Sequence, residues 1–172
     1  MAISPADAME RAHWDDAVAW VESDAPLFRV AKPATPPKHL IAYFAVVSED
    51  NILLVDHKNA QLWLPSGGHV ELDEHPRATV VRELYEELGF QIAFEDVQPP
   101  LMVTCTETVG LTAGHIDVSL WYVVNSNMEV PIHFDATEFH SVRWFRFQDV
   151  PLERSDPHIG RFMKKLGARK IA

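Results

Sequence analysis

The chain has 172 residues, 47% of them hydrophobic, and its 25 acidic against 15 basic side chains give a formal net charge of −10. This composition suits a globular domain with its own core, and the charge argues against DNA or RNA polymers as partners. The net charge does not exclude small phosphorylated substrates, because a bound divalent cation can reverse the local sign of the electrostatic potential.

Three further observations set expectations about location. No run approaches the ~20 apolar residues of a membrane-spanning helix, so no membrane contact is expected. The N-terminal stretch MAISPADAMERAHWDD has acidic residues and no apolar core, unlike a signal peptide. Cys105 is the single cysteine of the chain and suits a small core residue rather than a nucleophile. The sequence therefore predicts a cytoplasmic protein without an internal disulfide.

Residues 1–30 are predicted to form a helical extension, with Ser4 as its cap and Pro5 at its first position. Its predicted apolar face consists of Trp14, Val18 and Val21, which recur at i, i+4 and i+7. The helix either packs on the rest of the chain, which is favoured, or forms a homodimer contact. Three prolines make residues 31–38 an extended connector, so residues 31–172 are expected to form the main domain.

Branched and aromatic residues predict strands over residues 39–48, 52–56, 101–109, 115–125 and 141–147. In the fourth of these, alternation places His115, Asp117, Ser119 and Trp121 on one face, which is either a pocket wall or an ordinary solvent-facing surface. A last helix is predicted to follow Asp156 and Pro157, with an inner face of Ile159, Phe162, Met163 and Leu166.

Residues 76–88 are predicted to form a helix that begins at Pro76 and ends before Gly89. Its predicted apolar face consists of Ala78, Val81, Leu84, Tyr85 and Leu88. Glu83, Glu86 and Glu87 are spaced i, i+3 and i+4, so they are neighbours on the opposite side. Three adjacent carboxylates are stable if solvated, if one is protonated, or if a cation lies among them.

The surrounding stretch distinguishes these cases. Residues 68–90, GHVELDEHPRATVVRELYEELGF, fit the pattern Gly, five residues, Glu, seven residues, Arg-Glu-Leu-x-Glu-Glu-x-Gly-Phe. By average residue usage, a chance match has a probability on the order of 10⁻¹⁰ per start site. This stretch is similar to the complete Nudix box of MutT-like hydrolases. The resemblance is dense over residues 67–90, general from about residue 39 onward, and does not cover residues 1–30.

The resemblance implies an α/β Nudix fold, in which a mixed β-sheet is sandwiched between α-helices, here with an extra N-terminal helix. It implies a site for Mg²⁺, or alternatively Mn²⁺, made by the carbonyl of Gly67 and by Glu83, Glu86 and Glu87. It also implies structural roles for Gly68, Glu74, Arg82 and Gly89. Arg82 is expected to tie Glu74 to the helix, although a phosphate clamp is the alternative.

The implied activity is metal-dependent hydrolysis of the diphosphate bond in a nucleoside diphosphate linked to another moiety. Glu86 or Glu87 could be the general base, and a glutamate outside the box is a further candidate, with Glu138 preferred over Glu107. Residues that could touch the substrate are His57, Lys58, Trp63, His115 and Trp121.

Two alternatives were weighed against hydrolysis. A Nudix-like nucleotide-binding regulatory module without catalysis typically loses box carboxylates, whereas this chain keeps all of them. Isopentenyl diphosphate isomerases share the box but use a cysteine upstream of it, and no cysteine precedes Gly68. The sequence leaves the substrate, the oligomeric state and the identity of the base open.

Overall fold

The computed structural model describes residues 3–32 and 35–171. Within these residues the chain forms three α-helices, α1 (Ala8–Glu22), α2 (Pro76–Leu88) and α3 (Ile159–Ile171). Seven strands are present, β1 (Lys38–Ser48), β2 (Asn51–His57), β3 (Leu62–Leu64), β4 (Ser66–His69), β5 (Met102–Glu107), β6 (Ile116–Asn125) and β7 (Phe139–Arg146). The predicted connector over residues 31–38 includes Pro33 and Ala34, which lie outside the described residues.

The strands form one mixed sheet in the order β3-β2-β1-β6-β5. In addition, β4 pairs antiparallel with β1, and β7 pairs antiparallel with β2. The pairing of β1 with β6 is parallel, which requires a long crossover connection that includes β4 and α2. This arrangement brings the start of β1, the glycines of β4 and the start of β6 to the same region of the sheet.

Alternate side chains of β1 face opposite sides of the sheet, and each side has its own helix. Ala42, Phe44 and Val46 belong to a core with Val80, Leu84 and Leu88 of α2. Ala45 and Val47 belong to a second core with Ile159 and Phe162 of α3. The fold is therefore a mixed sheet between helices, which confirms the predicted fold class, and the inner face predicted for the last helix is buried as expected.

The buried face of α2 differs from the predicted one. Tyr85 is 57% exposed, whereas Thr79, Val80 and Glu87 are buried. The prediction placed all three glutamates on the side opposite to the apolar face, because their spacing makes them neighbours on a helix. Glu87 instead accepts a hydrogen bond from the backbone N–H of Gly67, and the rotation that brings it inward carries Tyr85 outward.

The N-terminal helix also begins later than predicted. Asp7, not Ser4, is the N-cap, and its carboxylate accepts from the backbone N–H of Glu10 at 2.9 Å. Ala17 and Trp20 pack with Val103 of β5, whereas Val21 is 48% exposed. The helix thus packs against the edge strand of its own chain. Ion pairs of Asp7 with Arg161 and of Glu10 with Lys165 connect it to α3.

No helix within residues 3–32 and 35–171 combines the length and the apolar character needed to cross a membrane.

Candidate active site

The ends of α2 are fixed by local sequence. Pro76 occupies the first turn, where its missing N–H costs no hydrogen bond. At the other end Gly89 adopts φ +74°, and the backbone N–H groups of Gly89 and Phe90 donate to the carbonyls of Tyr85 and Leu84. These contacts end the helix directly after Leu88, so the three box glutamates lie in its last two turns.

Glu83 lies directly against the backbone of β4. A Cβ added to Gly68 would lie 1.9 Å from Oε1 of Glu83, so any side chain at position 68 would displace the carboxylate. On the same strand, the backbone N–H of Gly67 donates to Oε2 of Glu87 at 3.2 Å. The paired glycines therefore bring two box carboxylates into contact with the main chain of the sheet.

Arg82 is held in a carboxylate network. Its Nε and Nη2 donate to the two oxygens of Glu74 at 3.0 and 2.9 Å, and Nη1 donates to Glu83 at 2.6 Å. Weaker contacts reach Glu86 at 3.3 Å and the carbonyl of His69 at 3.2 Å. Burial alone would raise the pKa of Glu74, but hydrogen bonds from Arg82 and Thr79 lower this pKa to about 2. This geometry ties the loop to the helix and leaves Arg82 poorly placed to clamp a phosphate.

The box glutamates differ in environment. Glu87 is only 7% exposed, and burial, followed by the charges of Glu83 and Glu138, raises its pKa well above the ordinary value. Burial also raises the pKa of Glu83, although Arg82 opposes the effect. The side chain of Glu86 is 56% exposed. The three carboxylates thus form an oxygen-rich cluster whose negative charges repel one another, which fits a hard divalent cation.

A cavity of about 830 Å³ opens beside this cluster. Its volume lies in the range of small-molecule sites. The box glutamates line one side, and residues of β1, β4 and β6 line the floor, among them Tyr43, His69, His115, Asp117 and Ser119. The interpretation of the β6 face as a pocket wall therefore fits its first three members.

Trp121, the fourth member of that face, lies deeper than predicted. Its side chain is fully buried, packs on Phe162 and donates from Nε1 to Oγ1 of Thr104 at 2.9 Å. Trp63 likewise packs edge-on against Phe145, with a centroid distance of 5.0 Å. The structure corrects the placement of both indole rings, since alternation along a strand assigns the face of a residue but not its depth.

Lys58 supports a neighbouring loop instead of lining the cavity. Its Nζ donates to the carbonyl of Ala136, and its backbone N–H donates to the carbonyl of Glu138 at 3.0 Å. Glu138 lines the cavity and is one of the charges that raise the pKa values of Glu83 and Glu87. It therefore lies close to the box carboxylates.

Glu107 occupies the cavity rim on β5. Its register partner is Ile116, whereas Thr106 pairs with Asp117. Because successive side chains of a strand alternate, Glu107 leaves β5 on the face opposite to Asp117. That face is the one that packs on α2, so the register alone does not separate Glu107 from Glu138. Glu138, unlike Glu107, is among the charges that raise the pKa of Glu83 and Glu87, which favours Glu138.

Sequence analysis did not single out two cationic residues of the cavity. Arg29 and Lys32 line it, and Arg29 is near enough to Asp117 and Glu83 for their charges to affect its pKa. Both belong to an irregular segment before β1, which offered no periodicity to assign them to a face. They supply positive charge in an otherwise acidic site.

Asp156 lines the same cavity at the start of α3. Burial raises its pKa to about 6, although the backbone N–H of His158 donates to it at 2.7 Å. A raised carboxyl pKa means that ionised Asp156 destabilises the folded state above about pH 6, and that this cost fades as the pH falls toward 3.8.

Asp156→Asn is therefore expected to raise Tm by ~4–8 °C at about pH 8 and by a smaller amount at about pH 4.5. Thermal unfolding in chelator at both pH values measures the difference. An equal shift at the two pH values would show that ionisation of Asp156 is not the cause.

Comparison with known proteins agrees with this geometry. The NUDIX domain family model matches residues 38–166. A MutT NUDIX hydrolase from Burkholderia pseudomallei superposes with a TM-score of 0.62 at 21% identity, covering 74% of this chain and 97% of that one. The chain belongs to the Nudix family.

Two curated relatives match shorter segments. A probable DHNTP pyrophosphohydrolase of Lactococcus lactis subsp. cremoris is 40% identical over 55 residues, which are 32% of this chain and 33% of that protein. The m7GpppN-mRNA hydrolase NUDT17 of Danio rerio is 31% identical over 87 residues, covering 44% of this chain and 27% of that protein. The matched segments thus span a third or less of the curated relatives.

Proposed function

We propose that this protein is a metal-dependent pyrophosphohydrolase that cleaves the diphosphate bond of a nucleoside diphosphate linked to another moiety. The observation that carries the proposal is the set of box glutamates gathered against the β4 glycines at the side of a cavity of nucleotide size. The names of the two curated relatives, a pyrophosphohydrolase and an mRNA cap hydrolase, support a phosphoric anhydride as the reacting group.

Glu83, Glu86, Glu87 and the carbonyl of Gly67 would hold the cation, with Mg²⁺ as the first choice and Mn²⁺ as the second. These are the hard oxygen ligands that Mg²⁺ prefers. Burial raises the pKa of both Glu83 and Glu87, which supports a cation beside their ionised forms. When bound, the cation would neutralise phosphate charge and acidify a water molecule.

Other residues of the chain have separate tasks in this proposal. Arg29 and Lys32 attract the phosphates electrostatically. Arg82 fixes Glu74 and Glu83 and does not bind phosphate. Glu138, on an exposed loop beside the box, takes a proton from the attacking water. The formal charge of −10 favours free nucleotides over capped RNA polymers.

The test is a hydrolysis screen with Mg²⁺ or Mn²⁺ over nucleoside triphosphates, DHNTP, sugar nucleotides, dinucleoside polyphosphates and a free m7GpppN cap. We expect at least one substrate to release a nucleoside phosphate, and activity to disappear in excess chelator. Undiminished turnover with chelator present would exclude the metal-dependent mechanism. A nucleotide that binds without being hydrolysed would favour a regulatory module.

The role of Glu138 is tested against Glu107. Glu138→Gln is expected to lower kcat by tenfold or more, because a positioned general base typically contributes about 10²–10⁴-fold. Glu107→Gln is the matched control and should keep its kcat at saturating Mg²⁺. The reverse result would make Glu107 the base, and unchanged kcat in both variants would place the base within the box.

A further inference from the structure

Three histidines and an aspartate form a compact group, which we call the histidine cluster: His69, His115 and Asp117 line the cavity floor, and His39 is fully buried beside them. Their candidate ligand atoms all lie within 4.8 Å of one another. His39 and Asp117 are register partners on β1 and β6, His69 pairs with Ile41 from β4, and His115 immediately precedes β6. Alternation along the three strands therefore directs the cluster to one face of the sheet.

Three of the distances within the cluster approach those between the ligands of one metal ion. Nε2 of His39 lies 3.1 Å from Nε2 of His69 and 3.3 Å from Oδ1 of Asp117. Nε2 of His115 lies 3.4 Å from the same Oδ1. Four ligands placed tetrahedrally at about 2.0–2.1 Å from a zinc ion would be separated by about 3.3–3.4 Å.

The second ring nitrogens of His39 and His115 are already engaged outside the cluster. Nδ1 of His39 lies 2.8 Å from the carbonyl of Pro36. Since a carbonyl only accepts, this contact places the proton of neutral His39 on Nδ1 and turns the Nε2 lone pair toward Asp117. Nδ1 of His115 lies 3.1 Å from Oγ1 of Thr108. Such outer contacts orient the histidine ligands of metal sites.

Asp117 contributes a buried carboxylate oxygen that lacks a hydrogen-bond donor among the described residues. This atom is Oδ1, so its two imidazole contacts lack hydrogen-bond geometry. His39 and His69 share one N–H through their Nε2 atoms, which does not satisfy Oδ1 of Asp117. An unpaired buried carboxylate oxygen facing imidazole nitrogens is costly unless a positive charge lies between them.

We propose that the histidine cluster binds one transition-metal dication, of which Zn²⁺ is the best fit, at a site separate from the box glutamates. Three imidazoles and one carboxylate suit Zn²⁺, whereas Mg²⁺ prefers a shell made only of oxygens. Four protein ligands make a closed, structural site.

This site would join β1, β4 and β6 next to the β4 glycines, on the face of the sheet opposite to α2. His69 immediately follows Gly68, whose backbone positions Glu83. Zn²⁺ with one carboxylate and neutral imidazoles leaves a net charge of about +1 on the cavity wall. The ion would therefore fix the β4 glycines and make the floor more attractive to anionic substrates.

The first test uses the full chain with Glu86→Gln and Glu87→Gln, which weakens metal binding at the box and keeps the cluster intact. After chelator treatment and removal of the chelator, the protein is given Zn²⁺ alone. We expect about one tightly held zinc per chain, a zinc X-ray absorption spectrum with three imidazole neighbours, and a Tm rise of roughly 5–10 °C. Zinc held by oxygen atoms only, or no bound zinc, would overturn the proposal and leave a proton-linked histidine network.

The second test adds Asp117→Asn and His115→Gln to the same chain. Zinc binding and the Tm rise should both be lost, while the matched control His140→Gln, at an exposed position of β7, should retain them. If the double substitution does not fold, the absorption spectrum of the intact cluster decides alone. Retention of one tight zinc in a folded double variant would contradict the ligand assignment.

Discussion

Replacing Glu87 with glutamine is expected to lower kcat by ~10²–10³-fold, the range observed when a group that stabilises charge in the transition state is removed. Glu87 is the most buried of the box carboxylates, and its position is fixed by the N–H of Gly67. Glutamine preserves the shape and one acceptor oxygen but removes the charge. Steady-state kinetics at saturating Mg²⁺ measure the loss, and Glu86→Gln should reduce turnover by about 10²-fold as well.

The same substitution should stabilise the metal-free protein. Burial raises the pKa of Glu87, so its ionised form costs folding free energy at neutral pH, and removing the charge should raise Tm in chelator by ~2–4 °C. Glu22→Gln, at the exposed end of α1, is the control and should change neither kcat nor Tm. If Glu87→Gln kept its kcat, the buried carboxylate would be structural only.

Arg82→Ala is expected to destabilise the protein by about 2–3 kcal/mol, which corresponds to a Tm decrease of ~5–10 °C. Its removal leaves two carboxylates without their cationic partner, since Arg82 now pairs with Glu74 at 2.9 Å and with Glu83 at 2.6 Å. The expected cost is below that of a fully buried pair, because 26% of the Arg82 side chain is exposed. Urea unfolding of the metal-free protein measures it.

The pH dependence separates this role from phosphate binding. The pKa of Glu74 is lowered from 4.5 to about 2, so the stability contributed by its pairing is present above the unfolded value and is lost as the pH falls toward 2. The deficit of Arg82→Ala should shrink over that range, and Glu74→Gln should show a similar deficit that is not additive with it. An unchanged Tm together with a tenfold higher KM would identify a phosphate clamp instead.

The sequence was most informative where the chemistry depends on local spacing. The pattern of residues 68–90 predicted the ends of α2, and the resemblance to the Nudix box implied the pairing of Arg82 with Glu74, both of which the structure contains. These features lie within one loop and the helix that follows it, so they depend little on long-range packing.

The sequence was less informative where long-range packing decides. The rotation of α2 depends on Gly67, which is 20 residues away from Glu87, and the amphipathic pattern could not anticipate a buried glutamate. Trp121 lies on the predicted side of β6, but α3 covers that end of the face. His39 and His69 approach Asp117 only through the register of three strands, which a single sequence does not specify.

The parallel pairing of β1 with β6 also has a kinetic consequence. Such non-local pairings form slowly, because the entropy of closing the intervening loop is lost before the contacts are gained. The cavity floor spans these two strands, so a cation or nucleotide that recognises it binds only a chain in which the crossover is complete. Ligands of this site should therefore slow unfolding and leave the refolding rate nearly unchanged, since contacts absent from the transition state act on the unfolding barrier.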